Sequence, residues 1–311
     1  MRRFLDIKPF LIVLITFFVL PSNATVSSDQ RLFSLVPPGA QVVAGMIATR
    51  RPDQPKNFII VTHHNWLDLQ DFFALTGADS SRTIHEVILV AVADDRERLS
   101  EHSLLAGGHF DQAHIFRSAV DGGAQVTHYR SIPVLSIEPF ARERDDLHDV
   151  RWLAILDSDI LLFGTIANVQ QELDRHLAGN IADRSIVQRL NRLRREDETW
   201  CLLAAPVHSD EIGNILARLD PALAGLVENG GAFQFGIHYN GHVEFEYEVT
   251  ATSEIDPEVI TNSWTASLID RKASLLPPRF DKAEGNYTVR GTVKVSKQRY
   301  DAWLAEISSA R

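Results

Sequence analysis

The sequence is poor in residues that would join or activate the chain covalently. Cys201 is the one cysteine among 311 residues, so no intramolecular disulfide can form and the fold has to rest on its hydrophobic core. The run around it, Trp200 to Leu203, is apolar. That setting favours a small buried side chain in a strand, because a catalytic thiol needs an activating neighbour that this run does not supply.

Nucleotide-binding and hydrolase motifs are also missing. The chain contains no GxxxxGK[ST], GxGxxG or GxSxG pattern, and Gly107-Gly108 is too short to cradle a phosphate. Because these motifs are absent, we predict no cofactor. A serine or cysteine triad stays possible, because its members can lie far apart in sequence.

Positive charge is scarce. The chain has 31 basic and 41 acidic residues and a net charge of −10, without a basic tract. Nucleic-acid binding is therefore disfavoured, because it depends on contacts to phosphates. The same balance argues against tight contact with anionic lipid headgroups.

The N terminus has the layout of an export signal. Arg2 and Arg3 precede the apolar run Pro9–Leu20, which ends before the small residues Ser22 and Ala24. The apolar run holds about a dozen residues, whereas a membrane-spanning helix needs roughly 20. We predict a signal peptide over residues 1–24; the alternative is an uncleaved anchor.

Cleavage is predicted between Ala24 and Thr25, which leaves 287 of the 311 residues. The mature chain would be secreted or periplasmic and would keep no stable membrane anchor. Its composition, 45% hydrophobic and 23% charged, is ordinary for a folded globular protein.

Hydrophobic periodicity predicts strands and helices in both halves of the chain. Gly, Pro and Asp residues separate the periodic segments. The predicted strands cover residues 41–49, 58–63, 84–93, 104–110, 152–156, 160–163, 200–205 and 287–295, and the helices cover 67–75, 112–120, 165–177, 181–195, 209–219, 257–275 and 298–307.

The resulting fold prediction is α+β, with two related modules over residues 25–179 and 180–311. Each would have hairpin-linked, mainly antiparallel sheets with helices packed on one face. The segments Leu104–Val120 and Val289–Ile307 share a layout of short strand, polar turn and helix, which indicates a duplication.

One hairpin register follows from the alternation of apolar residues in 233–250. A three-residue loop over 239–241 pairs Ile237 with Val243 and keeps apolar groups together on one face. We therefore predict this loop, with Gly241 at positive φ.

That register places His238 directly opposite His242, near Glu244 and Glu246. Opposed residues have Cβ atoms about 5 Å apart, close enough to share a metal ion. His238 and His242 are thus a candidate metal site. The alternative is a solvated polar face, because no third ligand is defined by the sequence.

Other polar groups offer weaker candidates. Asp157-Ser158-Asp159 has the spacing of the DxD metal-binding motif of nucleotide-sugar transferases, but a hairpin turn explains both aspartates. Neither His63-His64 nor the pair His109 and His114 matches a zinc-binding pattern. We interpret them as loop or surface residues.

Two stretches resemble uncharacterised secreted bacterial proteins with paired α+β modules. They are Leu35–Gly45, which reads LVPPGAQVVAG, and Leu105–Asp111, which reads LAGGHFD. The resemblance implies bacterial export and carries over no activity or functional residue.

Two functional classes stay open. The first is a noncatalytic exported protein that binds a protein or an apolar small molecule. The second is a hydrolase or metal-dependent enzyme whose active-site residues are dispersed in sequence. A pocket with inward-facing titratable groups would favour the second, and an apolar groove or patch the first.

Overall fold

The computed structural model describes residues 29–47, 84–92, 101–137, 150–193, 199–204, 231–239, 241–251, 279–283 and 286–299. The predicted elements at 58–63, 67–75, 209–219 and 257–275, and most of 298–307, lie outside these ranges.

Four helices and twelve strands are assigned within those ranges. The helices are α1 (Gln30–Leu35), α2 (Gln112–Asp121), α3 (Ile166–Leu177) and α4 (Arg184–Leu190). The strands are β1 (Val42–Ile47), β2 (Ile84–Val92), β3 (Glu101–Gly108), β4 (Gln125–Tyr129), β5 (Ile132–Ile137), β6 (Arg151–Leu156), β7 (Ile160–Thr165), β8 (Thr199–Leu203), β9 (Ala232–Tyr239), β10 (Val243–Ala251), β11 (Arg279–Ala283) and β12 (Asn286–Val295).

All twelve strands join one open sheet in the order β11-β12-β10-β9-β8-β1-β2-β3-β7-β6-β5-β4. Every neighbouring pair is antiparallel. The centre is the pair β1–β8, where Gly45 lies opposite Trp200. Outward from this pair, each side begins with three strands consecutive in the assigned order, β8-β9-β10 and β1-β2-β3. The first side then ends in the hairpin β12-β11, and the second in the four strands β7-β6-β5-β4.

The predicted fold of two separate α+β modules is wrong. The sheet is continuous across the predicted boundary at 179 and 180, because β8 pairs along its length with β1. The physical reason is that β8 is apolar on both faces: Trp200 and Leu202 are buried on one side, and Leu203 on the other. A strand that is apolar on both faces is most stable in the middle of a sheet, where both of its faces and both of its edges are covered.

The helices pack on both faces of the sheet, which also corrects the prediction of one helical face. On the front face, α1, α3 and α4 cover a cluster that includes Leu105, Ala154 and Leu202. On the back face, α2 covers a cluster that includes Leu104 and Leu153. Neighbouring residues of one strand thus belong to different cores, as the pleat requires.

Local start and stop signals explain the helix boundaries. The side chains of Asp111, Thr165 and Asp183 accept hydrogen bonds from the first turns of α2, α3 and α4. The helices predicted over 112–120 and 165–177 are confirmed, with Asp111 and Thr165 as their N-caps. No helix among the described residues is long and apolar enough to cross a membrane.

The β9–β10 hairpin has the predicted apolar face but a different register. Tyr239 pairs with Val243 and Ile237 with Phe245, so the three loop residues are 240–242. The prediction of 239–241 is wrong by a slip of two residues, which leaves every side chain on its original face. Burial of one face therefore does not separate the two registers. Gly241 has a φ of 71°, which confirms the predicted positive φ.

Candidate functional site

Charged side chains line the front face of the sheet beyond β8. We call this set the polar strip: Gln234, His238, Glu244, Glu246, Glu248, Arg290 and Lys294, on β9, β10 and β12. It follows from the strict alternation of β10, where Phe245, Tyr247 and Val249 point to the back face and are buried.

Two carboxylates of the strip are buried between bases. Glu244 accepts from Lys294 Nζ and contacts His242 Nε2, both at 2.7 Å. Glu248 accepts from Arg192 Nη1 at 2.7 Å and from Arg290 Nε. The four bases are 37–49% exposed above carboxylates that are below 10% exposed. The strip is thus a set of compensated charges that holds α4 and three strands together.

Arg189 anchors α4 at the edge of the strip. Its Nη2 donates to the carbonyls of Leu203 at 2.9 Å and Phe233 at 2.8 Å, and its Nε donates to Gln234 Oε1 at 3.0 Å. Burial lowers the pKa of this guanidinium. It remains charged, because an arginine side chain does not lose its proton in proteins. Arg189 therefore acts as a clamp on the β8–β9 pair.

The two histidines predicted to share a metal are not opposite each other. His238 pairs with Glu244, and His242 lies in the loop, where it bonds the same carboxylate. Within the described ranges, no group of three or more His, Cys, Asp or Glu side chains is arranged to hold a metal ion. A metal site at His238 and His242 stays a prediction, but the strand register from which it was derived is not the one observed.

A third buried carboxyl group lies in the core between α3 and β3. Glu172 is fully buried and accepts a hydrogen bond from the hydroxyl of Ser103, which is also fully buried. Burial raises the pKa of Glu172 to about 8, while the Ser103 hydroxyl lowers it. The carboxyl is therefore mainly protonated at neutral pH. Sequence analysis missed it, although Val169, Glu172 and Leu173 follow the helical spacing of an apolar stripe.

Cys201 lies in β8, as predicted. It packs on the back face against Ala44 and Leu89. Desolvation raises the pKa of its thiol to about 12, and the charge of Arg189 only partly offsets this. Such a thiol is not an activated nucleophile, since the reactive species is the thiolate.

An open depression of about 570 Å³ lies where β3 leads into α2. Its apolar lining residues are the part-buried Phe116, the exposed Ala113 and Phe110, which keeps only 3% of its surface accessible. The lining residues are His109, Phe110, Asp111, Gln112, Ala113, Phe116 and Ser158.

Main-chain hydrogen bonds fix the walls of this depression. The N–H of Phe110 donates to the carbonyl of Ser158, and the N–H of Gly108 to that of Asp159, both at 2.8 Å. The predicted turn at 157–159 is confirmed: Asp159 N donates to Leu156 O, and Asp157 and Ser158 have positive φ. The aspartates therefore shape a hairpin turn beside the depression.

Charged groups surround its rim. Asp159 lies between Arg31, at 3.5 Å, and His109, at 3.9 Å, and the His109 side chain is 87% exposed. Asp111 accepts from the N–H of His114 and so has its carboxylate at the start of α2. His109 lines the depression, whereas His114 does not.

The predicted cleavage site, Ala24 and Thr25, lies outside the described residues, as do His63 and His64. Comparison of the chain with protein-family models, with curated proteins and with solved structures gives no significant match.

Proposed function

We propose that the chain is a noncatalytic binding protein that takes a small, partly apolar molecule in the depression beside α2. The observation that supports this is the combination of the part-buried Phe116 ring with hydrogen-bonding groups from Asp111, Gln112 and Ser158. Ligand sites commonly join an apolar lining of this kind to a few oriented polar groups.

The size and anchoring of the depression support the same proposal. Its 570 Å³ falls within the roughly 300–1,000 Å³ that small-molecule sites occupy. Because main-chain bonds join its two walls, a ligand would not have to order them. The carboxylate of Asp111, which lines the depression, favours a ligand whose polar end is neutral or cationic over an anionic one.

The test is binding of the neutral fluorescent probe N-phenyl-1-naphthylamine to the purified chain. We expect one saturable site that is lost in Phe116→Asp and kept in Val120→Asp, a matched change at an exposed position on the same helix. Thermal melting of both variants checks that they fold. Equal binding to both variants, or no saturable binding to the parent chain, would refute the proposal.

We also propose that this function is carried out outside the cytoplasm, after cleavage between Ala24 and Thr25. The basic start, short apolar run and small-x-small ending support export. Mass spectrometry of the chain expressed in a bacterial host should give a mature N terminus at Thr25. An intact Met1 in the folded, purified chain would contradict export with cleavage.

A further inference from the structure

Among the described residues, the strand at one end of the sheet carries several exposed side chains. Beyond β4 (Gln125–Tyr129) no further strand is paired among the described residues. Gln125, Val126 and His128 are exposed, and Val126 keeps 48% of its surface accessible. Three of the five residues of β4 are therefore exposed, and the other two, Thr127 and Tyr129, are partly buried.

Pro133 shows which main-chain groups of β4 point outward. In an antiparallel pair, residues alternate between those that exchange both hydrogen bonds and those that exchange none. Pro133 lies opposite His128 and has no N–H to donate. His128 and Pro133 are therefore a pair that exchanges no hydrogen bonds, and the N–H and C=O groups of His128 face away from β5. Because the pattern repeats every two residues, the same groups of Val126 also face away from β5.

This edge lacks the devices that usually prevent pairing with another strand. Exposed edges are commonly protected by lysine, proline, inward-pointing charges or bulges. The β4 sequence QVTHY contains no proline and no Lys, Arg, Asp or Glu, although the whole chain carries a net charge of −10. Two copies of the chain could thus approach at this edge with little charge repulsion.

We infer that two copies of the chain pair through β4 around a two-fold axis at Thr127. In this antiparallel register, Val126 of each copy forms both main-chain hydrogen bonds with His128 of the other. In each copy, the two outward N–H groups and the two outward C=O groups of Val126 and His128 then all form hydrogen bonds. The strand is self-complementary, as a two-fold interface requires, and the twelve-stranded sheets of the two copies become one.

Apolar surface at the same margin supports a protein partner. Val126 points to the back face, where the C-terminal part of α2 carries Val120, which is 45% exposed. Both are among the four large hydrophobic residues that are exposed within the described ranges. Pairing through β4 brings the two copies of this patch together and removes part of it from water.

Cysteine cross-linking tests the register directly. Across the axis, Thr127 faces Thr127 of the second copy in a pair without hydrogen bonds, where Cα atoms lie about 4.5 Å apart. That separation allows a disulfide. In a Cys201→Ala background, Thr127→Cys should therefore form covalent dimers under mild oxidation. Gln125→Cys is the matched control, because the two residues 125 would be displaced by about 13 Å along the strands.

Sedimentation velocity of the full chain tests the association itself. We expect a concentration-dependent dimer at micromolar protein. His128→Pro should weaken the dimer about tenfold. Proline removes one N–H donor from each copy, so the symmetric dimer loses two hydrogen bonds. Val126→Lys, which leaves the main chain unchanged, should weaken it as well, and Ile181→Lys, at a residue 76% exposed outside β4, should not.

Circular dichroism establishes that each variant is folded. A parent chain that stays monomeric would overturn the inference and would leave β4 as an edge for an extended segment of another protein. Equal cross-linking of Thr127→Cys and Gln125→Cys, or a dimer unaffected by both His128→Pro and Val126→Lys, would also overturn it.

Discussion

At the scale of single residues, Glu172 links pH to stability. It stays protonated in the folded chain up to a pKa of about 8, against an ordinary value of 4.5, because burial disfavours the charged form. The unfolded chain releases this proton at lower pH. Between these two pKa values the folded state therefore binds more protons than the unfolded state. As a result, the contribution of Glu172 to the free energy of unfolding falls as pH rises from about 4.5 to about 8.

Glu172→Gln removes this titration and keeps the shape of the side chain. We expect the variant to gain stability relative to the parent as pH rises through this window, by a few kcal/mol at pH 8 relative to pH 4.5. Urea unfolding at several pH values measures it. Asp121→Asn, at an exposed position, controls for loss of a carboxylate. A difference between Glu172→Gln and parent that is constant with pH would contradict the assignment.

At the scale of elements, two hairpin turns place non-glycine residues in left-handed conformations. Arg130 and Ser131 join β4 to β5 with φ of 46° and 73°, and Asp157 and Ser158 join β6 to β7 with φ of 50° and 59°. The β4–β5 loop has two residues, and the β6–β7 loop has three, 157–159, of which the first two have positive φ. Positive-φ turns of this kind match the right-handed twist of antiparallel strands. Each such residue carries strain of about 1–2 kcal/mol that glycine would avoid.

Ser131→Gly should therefore stabilise the chain by about 0.5–1 kcal/mol, since relief of strain exceeds the entropy gained by the unfolded state. The matched control is Ser136→Gly in β5, which is paired on both sides, with Gln125 and Trp152, and where glycine should destabilise by a similar amount. Thermal and urea unfolding compare the two. The same sign of effect at both positions would show that backbone strain at the turn is not the cause.

The attachment of α4 to the sheet depends on Arg189. Arg189→Ala leaves two carbonyls and the Gln234 amide oxygen without this donor, so we expect a loss of about 2–4 kcal/mol in the free energy of unfolding.

Arg192→Ala is the control for that loss. Arg192 is half exposed, and its partner Glu248 keeps the bond from Arg290, so its loss should be smaller. Losses of equal size in the two variants would argue against Arg189 as the main clamp.

At the scale of the whole molecule, the halves before and after residue 180 share one sheet and should unfold together. Two glycines at distant places make this testable, because an aromatic ring packs over each. Trp200 covers Gly45 at the central β1–β8 pair, and Tyr247 covers Gly291 on β12. A Cβ atom at either position would overlap the ring, so alanine must displace it.

Gly45→Ala and Gly291→Ala should therefore each lower the melting temperature of one common transition. Differential scanning calorimetry of the parent should give a single peak whose calorimetric and van't Hoff enthalpies agree. Two peaks, with Gly291→Ala shifting only one, would mean that the two halves of the sheet unfold independently.

Much of the local structure follows from short-range signals that the sequence carries openly. Asp111 and Thr165 cap helices, and Asp157-Ser158-Asp159 turns a hairpin, because each side chain or backbone conformation acts on neighbours a few residues away. The depression beside α2 is harder to predict. It needs Ser158 from a turn more than forty residues from Phe116, and no sequence pattern links them.

Alternation and capping signals along the chain are sufficient to predict the antiparallel hairpins, the starts of α2 and α3 and the separation of apolar from charged residues along β10. The joining of the strands into one sheet depends on long-range packing, since an apolar strand such as β8 can satisfy its edges with any suitable neighbour. The β9–β10 register depends on it as well, because a slip of two residues preserves both faces. The packing of α3 onto β3, finally, is what seals Glu172 and makes it a neutral group.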